Sequence, residues 1–164
     1  MPGKFLMSAI VLMELTGSAS DNSERKAYEQ LFRGYRKQER LIVPSADDWL
    51  LTSRILFLLT HARRHSQKGR LKPLPPGVAQ RLALDVLIAV SARRWKAIVV
   101  TENWTDFKAI QRYCNATIVR AADFFRGKSK RAIRSGPPPA LTHPDQRLVD
   151  HQVLCLVLLR DCLI

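Results

Sequence analysis

Acidic residues are scarce: 14 Asp and Glu face 27 Lys and Arg in 164 residues, a formal net charge of +13. That excess favours a polyanionic partner, nucleic acid or an anionic membrane surface, and says nothing about fold. From charge alone, a solvated surface accounts for it as well. Cysteine is also sparse. Cys114, Cys155 and Cys162 form no CxxC pair, which argues against a secreted disulfide framework and for a reducing, cytoplasmic setting. The seven glycines follow no pattern, so a Gly-rich phosphate loop is excluded. There is no GxSxG and no Ser/His/Asp arrangement that stands out. Long hydrophobic runs are missing as well. Glu14 interrupts the N-terminal apolar run before it forms the core of a signal peptide. The longest uncharged stretch near the C-terminus, Gln152–Leu159, is far below the about 20 residues needed to span a bilayer. No membrane association is expected.

What is present reads as one globular domain, with 46% apolar and 25% charged residues. Lys4–Ser8 predicts a buried strand running into a helix at Ala9–Leu15. Asp21 with Glu24 is a capping-box signal for a helix carrying Ala27, Tyr28, Leu31, Phe32 and Tyr35 at helical spacing. Leu41–Val43 is a short strand stopped by Pro44. Ser45 with Asp48 caps a helix through Trp49, Leu51, Ile55 and Leu58–Leu59. The stretch HARRHSQKGRLKPLPPG is a basic helix end followed by a loop. Val78–Arg94 is a further helix, Ala97–Val100 and Thr117–Val119 are strands, and Ala121–Phe125 is a short helix. Alternating strands and helices imply an α/β fold with a parallel sheet. From Gly127 the chain becomes basic, Pro-rich and aperiodic, as in a linker. The expected division is a domain over 1–126 and a linker with an apolar tail over 127–164.

In so basic a chain, an acid inside an apolar run needs a reason. Glu14 in SAIVLMEL and Asp85 in RLALDVLIAVSA each place a carboxylate on a largely buried helix, where an unpaired charge is costly. Pairing with one of the many arginines is one explanation, and a functional site is the other. Asp106 follows a predicted strand, in the position where parallel α/β folds build sites, and Thr101 and Asn103 share its loop. Helix capping by Thr105 or Asp106 is the plainer role. Clustered carboxylates repel unless a cation or a retained proton intervenes, and oxygen-rich sites suit Mg²⁺ or Mn²⁺. An acidic metal site on a basic protein has the charge layout of a nuclease: the bulk attracts the nucleic-acid backbone and the acids hold the ion that helps cut it. His61 and His65 share a helix face but lack a nearby third ligand, so they read as a solvated face rather than a zinc site. Cys114 reads as a small apolar residue. Trp49, Trp95 and Trp104 read as packing residues.

The segments SAIVLMEL and LDVLIAVSARRWKAIVVTENWTDF together resemble the PIN-domain ribonucleases of the VapC toxin type. The likeness lies in a strand entering a helix with Glu14, then D-x-L-I-A on a helix rich in small residues (Asp85 to Ala92), then a strand followed by T-x-N-x-x-D-F (Thr101, Asn103, Asp106, Phe107). It covers about residues 4–126. The resemblance implies an α/β/α sandwich and a Mg²⁺- or Mn²⁺-dependent endoribonuclease. It also implies a homodimer and a cognate antitoxin protein that blocks the active site. By position, Glu14, Asp85 and Asp106 become metal-site acids, Asn103 another site residue and Thr101 an accessory polar group. Arg63, Arg64, Lys68, Arg70 and Lys72 are the expected RNA-backbone contacts.

One departure shapes the expectation. The family's first strand, ending in an Asp within D-[TS]-[NS], has no counterpart here, as though the start were shortened or misassigned. The tail after Arg126, which has none either, reads as a frame-shifted extension. The missing strand is central in the family's sheet, and its loss leaves two strand edges unpaired. The apolar stretch Val153–Leu159 is long enough for a strand, but the Pro-rich segment before it argues against its docking in that gap. The chain is therefore expected to be catalytically weak or dead. The alternative is a non-catalytic remnant that binds RNA or an antitoxin. A basic DNA-binding module lacks a helix-turn-helix or zinc pattern to support it.

Overall fold

The computed structural model describes residues 5–65, 75–132 and 156–159. Strand β1 (Phe5–Ser8) runs straight into helix α1 (Ala9–Gly17). Ser8 makes the joint: its buried hydroxyl accepts a hydrogen bond from the Ile10 amide at 3.2 Å, satisfying one donor that a helix start leaves open. Helix α1 then drives Ile10, Val11 and Leu12 into the core. Helix α2 (Asn22–Lys37) starts at Asp21, whose carboxylate accepts from the amides of Ser23 and Glu24. Glu24 reaches back to the Ser20 amide, one residue earlier than in the usual reciprocal box. Helix α2 buries no residue fully, and Leu31 of its apolar stripe stays exposed.

After β2 (Leu41–Ile42), helix α3 (Ala46–His65) opens with the expected reciprocal cap. The Ser45 amide donates to Asp48 Oδ2 at 2.8 Å, and the Asp48 amide donates to Ser45 Oγ at 3.2 Å. Helix α4 (Val78–Arg94) follows Gly77, whose φ of +77° suits glycine. From Asp85 to Ala92 every residue of α4 is buried, so the helix is central and apolar almost all round. Strand β3 (Ala97–Thr101), helix α5 (Trp104–Gln111), strand β4 (Thr117–Arg120) and helix α6 (Ala121–Ala132) follow, and β5 (Leu156–Leu159) completes the described chain.

The protein is thus α/β, with a five-stranded sheet ordered β2-β1-β5-β3-β4. Strand β1 pairs with β2 in parallel, Met7 opposite Leu41 and Ser8 opposite Ile42. Strand β3 pairs with β4 in parallel over Ile98–Thr101 against Thr117–Arg120. The core gathers Leu6, Ile42, Ile55, Val86, Val99 and Phe107 from both pairs and the helices around them. Among the described residues no helix is long and apolar enough to cross a membrane.

Several expectations are corrected here. The sheet is parallel within each pair but mixed overall, because β5 enters its centre antiparallel to both β1 and β3. The predicted gap is therefore filled by the tail, against the expectation that the Pro-rich stretch would keep it away. Inner strands left unpaired would hold backbone donors and acceptors away from water, and the apolar run at Leu156–Leu159 is suited to cover them. The linker expected from Gly127 does not begin there either. Helix α6 continues through Gly127 to Ala132, since Lys, Arg and Ala favour helix and a single glycine costs only about 1 kcal/mol. Helix α5 was anticipated only as a capping signal, and β2 ends at Ile42 rather than Val43.

Candidate active site

The site gathers where β3 gives way to α5, above the middle of α4. Thr101 ends β3 fully buried, and its Oγ1 accepts a hydrogen bond from the Asn103 amide at 3.0 Å. This side chain to backbone bond folds the loop back on itself two residues on. Asn103 sits at the cap position of α5, yet its side chain makes no cap bond. Its Nδ2 instead donates to Asp85 Oδ2 at 3.0 Å and to Asp106 Oδ2 at 3.2 Å. One amide nitrogen, with its two hydrogens, stands between the two carboxylates. Asp106 lies in the first turn of α5, where the helix dipole favours a negative charge.

Asp85 is 9% exposed, and its pKa is pushed from 3.8 to about 7. Burial is the main cause, followed by the charges of Asp106 and then Glu14; Arg81 and the Asn103 hydrogen bond act in the opposite sense. Glu14, on α1, is exposed, and partial desolvation of its carboxyl still raises its pKa. The structure thus joins Asp85, Asn103 and Asp106 by hydrogen bonds, attaches Thr101 through the loop, and couples Glu14 to Asp85 through its charge. Arg81 did not stand out in the sequence. Its spacing of four from Asp85 on one helix was the available signal.

For a divalent cation, the donor chemistry fits. Asp85 and Asp106 present oxygen atoms to the same point, now taken by the partial positive charge of the Asn103 amide. Mg²⁺ commonly uses one or two carboxylates, with water and phosphate oxygens completing its shell. Among the described residues, however, no three His, Cys, Asp or Glu side chains converge as a metal-holding group, so Glu14 stands outside the hydrogen-bonded pair.

A buried acid of the opposite kind lies in the first turn of α3. Asp48 accepts from Arg94 Nε at 2.9 Å, and Arg94 Nη2 also donates to the Val43 carbonyl at 2.8 Å. Burial alone raises the Asp48 pKa, but hydrogen bonds from Ser45 and Arg94 and the Arg94 charge bring it below the usual carboxylate value. This is the arginine-paired arrangement that the sequence left open for Glu14 and Asp85. Asp85 bonds an amide instead.

The remaining sequence candidates divide. Arg63 and Arg64 lie on the last turn of α3, and Lys68, Arg70 and Lys72 fall outside the described residues. His61 stacks on Phe57 with ring centroids 5.5 Å apart. Cys114 is fully buried in the core. Trp95 and Trp104 pack against that core, but Trp49 is 56% exposed, so its reading as a packing residue is corrected: it lies on an outward face of α3. Comparison with protein-family models, curated proteins and solved structures found no match.

Proposed function

We propose that the chain is a Mg²⁺- or Mn²⁺-dependent endoribonuclease of the PIN-domain, VapC-toxin type. The observation that carries this reading is the Asn103 amide held between Asp85 and Asp106, with the Asp85 pKa raised to about 7. Two acids held together against their own repulsion, in a protein of net charge +13, are an arrangement suited to a cation and a polyanion. Asp85 and Asp106 would hold the ion. When bound, it supplies an activated water and steadies the charge that develops on the phosphoryl group. Asn103 positions both carboxylates, and Thr101 positions Asn103 through its amide. Glu14 deepens the negative potential felt at Asp85. The basic arm Arg63, Arg64, Lys68, Arg70 and Lys72 would hold the RNA backbone without reading bases. An antitoxin that covers the acids and a second copy in a homodimer are the partners this reading brings with it.

Strand β5 supplies backbone pairing at the centre of the sheet, and Leu156–Leu159 carries no acid. The test is cleavage of a structured RNA by the full chain in Mn²⁺. Cleavage should vanish on chelation, and Asp85→Asn and Asp106→Asn should fall to the chelated background while circular dichroism stays that of a folded chain. Undiminished cleavage by Asp85→Asn would sink the assignment. A second reading, a non-catalytic RNA-binding remnant, draws on the charge and on the absence of a three-acid group among the described residues. RNA binding without metal-dependent cleavage selects it.

A further inference from the structure

The sheet consists of two parallel ribbons, each closed by its own crossover: β1 and β2 joined through α1 and α2, and β3 and β4 joined through α5. No backbone ladder joins the ribbons directly among the described residues; β5 lies between them and pairs with both. Its direction is the informative feature. Both ribbons run parallel within themselves, whereas β5 runs antiparallel to β1 and to β3, so it does not continue a strand-helix-strand progression. The register is continuous across the slot. Leu158 stands opposite Phe5 on one side and Ile98 on the other, and Val157 stands opposite Leu6 and Val99.

We propose that the slot between β1 and β3 is a strand-acceptor site for an extended apolar peptide, and that β5 is the ligand it holds, tethered to α6 through residues 133–155. Main-chain pairing on both edges supplies affinity that depends little on which apolar side chains are present, as in other cases of strand addition. The tether then governs occupancy. A covalent tether gives its own strand an effective concentration on the order of millimolar, which shuts out free strands at lower concentration. Cutting the tether removes that advantage and leaves the same contacts, so the cut strand should stay bound and become exchangeable. This site is independent of the nuclease reading and needs neither metal nor RNA.

The experiment uses the full chain with a specific protease site inserted between Thr142 and His143. After cleavage, the fragment bearing β5 should co-elute with the body. A fluorescent peptide of residues 152–164, with Cys155→Ser and Cys162→Ser, should then enter saturably as the original fragment leaves. The same peptide with Val157→Pro should bind about tenfold or more weakly, since a proline in a strand paired on both sides removes a ladder donor and strands its acceptor. Release of the fragment on cleavage, with or without loss of the fold, overturns the proposal. So does equal binding of the proline peptide.

Discussion

A carboxyl whose pKa rises from 3.8 to about 7 on folding, as that of Asp85 does, keeps a proton that the unfolded chain has already released. Between those values the folded state binds more protons, so stability falls as pH rises through that window, and the full penalty is present above pH 7. At 1.36 kcal/mol per pKa unit the penalty is at most about 4 kcal/mol. Asp85→Asn removes the charge and keeps the shape. In chelator it should raise stability at pH 8 by about 1–3 kcal/mol and change it little near pH 4, read as the shift in urea midpoint at each pH. An unchanged midpoint at pH 8 removes the burial-and-repulsion account. Asp48 has the opposite sign. Its folded pKa is lowered, so its stabilisation is present above the ordinary carboxylate pKa and lost as pH falls below it. The sequence distinguished Asp85 by its apolar surroundings, and it grouped Thr101, Asn103 and Asp106 because they share one short loop. It could not say that the Asn103 side chain would serve two carboxylates rather than cap α5, because both uses begin from the same residue at the same position. Nor could it foresee the Asp48–Arg94 pair, since Asp48 three residues after Ser45 reads as a cap, and it is one as well.

Elements whose signal is local were legible for that reason. The caps at Asp21 and Ser45, the buried face of α4 and the apolar run of β3 are each written within a few residues. Strand β5 was not, because its place depends on partners near residues 5 and 98, far away in the chain, while its immediate neighbours signal a linker. Helix α5 was obscured by the loop-forming residues of TENWTDF, although Phe107 and Ile110 bury the face that secures it. Strand β5 also bears on the site. Glu14 follows β1, and Asn103 and Asp106 follow β3, so the strand between them sets how far apart those two groups stand. Val157→Pro in the full chain should cost about 3 kcal/mol, near what proline costs inside other regular structure. Val157→Thr, which keeps the backbone donor and the β-branched shape, should cost only about 1 kcal/mol. Equal urea midpoints for the two variants would place β5 outside the cooperative fold.

On the scale of the whole molecule, the charges are unevenly divided: a net +13 is spread over the chain, while the few acids that could neutralise it include the group around Asp85. A field of this sign draws in a polyanion from any direction, but it does not by itself say where the strand lies. Counterion release separates the two possibilities. The affinity of a single strand falls with salt at a slope of about −0.7 per phosphate neutralised, in log-log form, so each residue in true contact adds its own increment. Arg63 and Arg64, at the end of α3, head the basic arm. If both meet phosphates, the double variant Arg63→Glu, Arg64→Glu should flatten the slope by about 1.4 and weaken binding at low salt more than at high salt. Lys26 and Lys37, exposed on α2, provide the matched control, because Lys26→Glu, Lys37→Glu changes the net charge by the same amount. The control should lower affinity modestly through the general field and leave the slope nearly unchanged. Titrating a labelled single-stranded RNA in chelator, across a range of potassium chloride concentrations, measures binding with cleavage switched off. Equal flattening in the two double variants would mean that the arm at 63–72 is a solvated helix end and that the RNA is held by the overall charge.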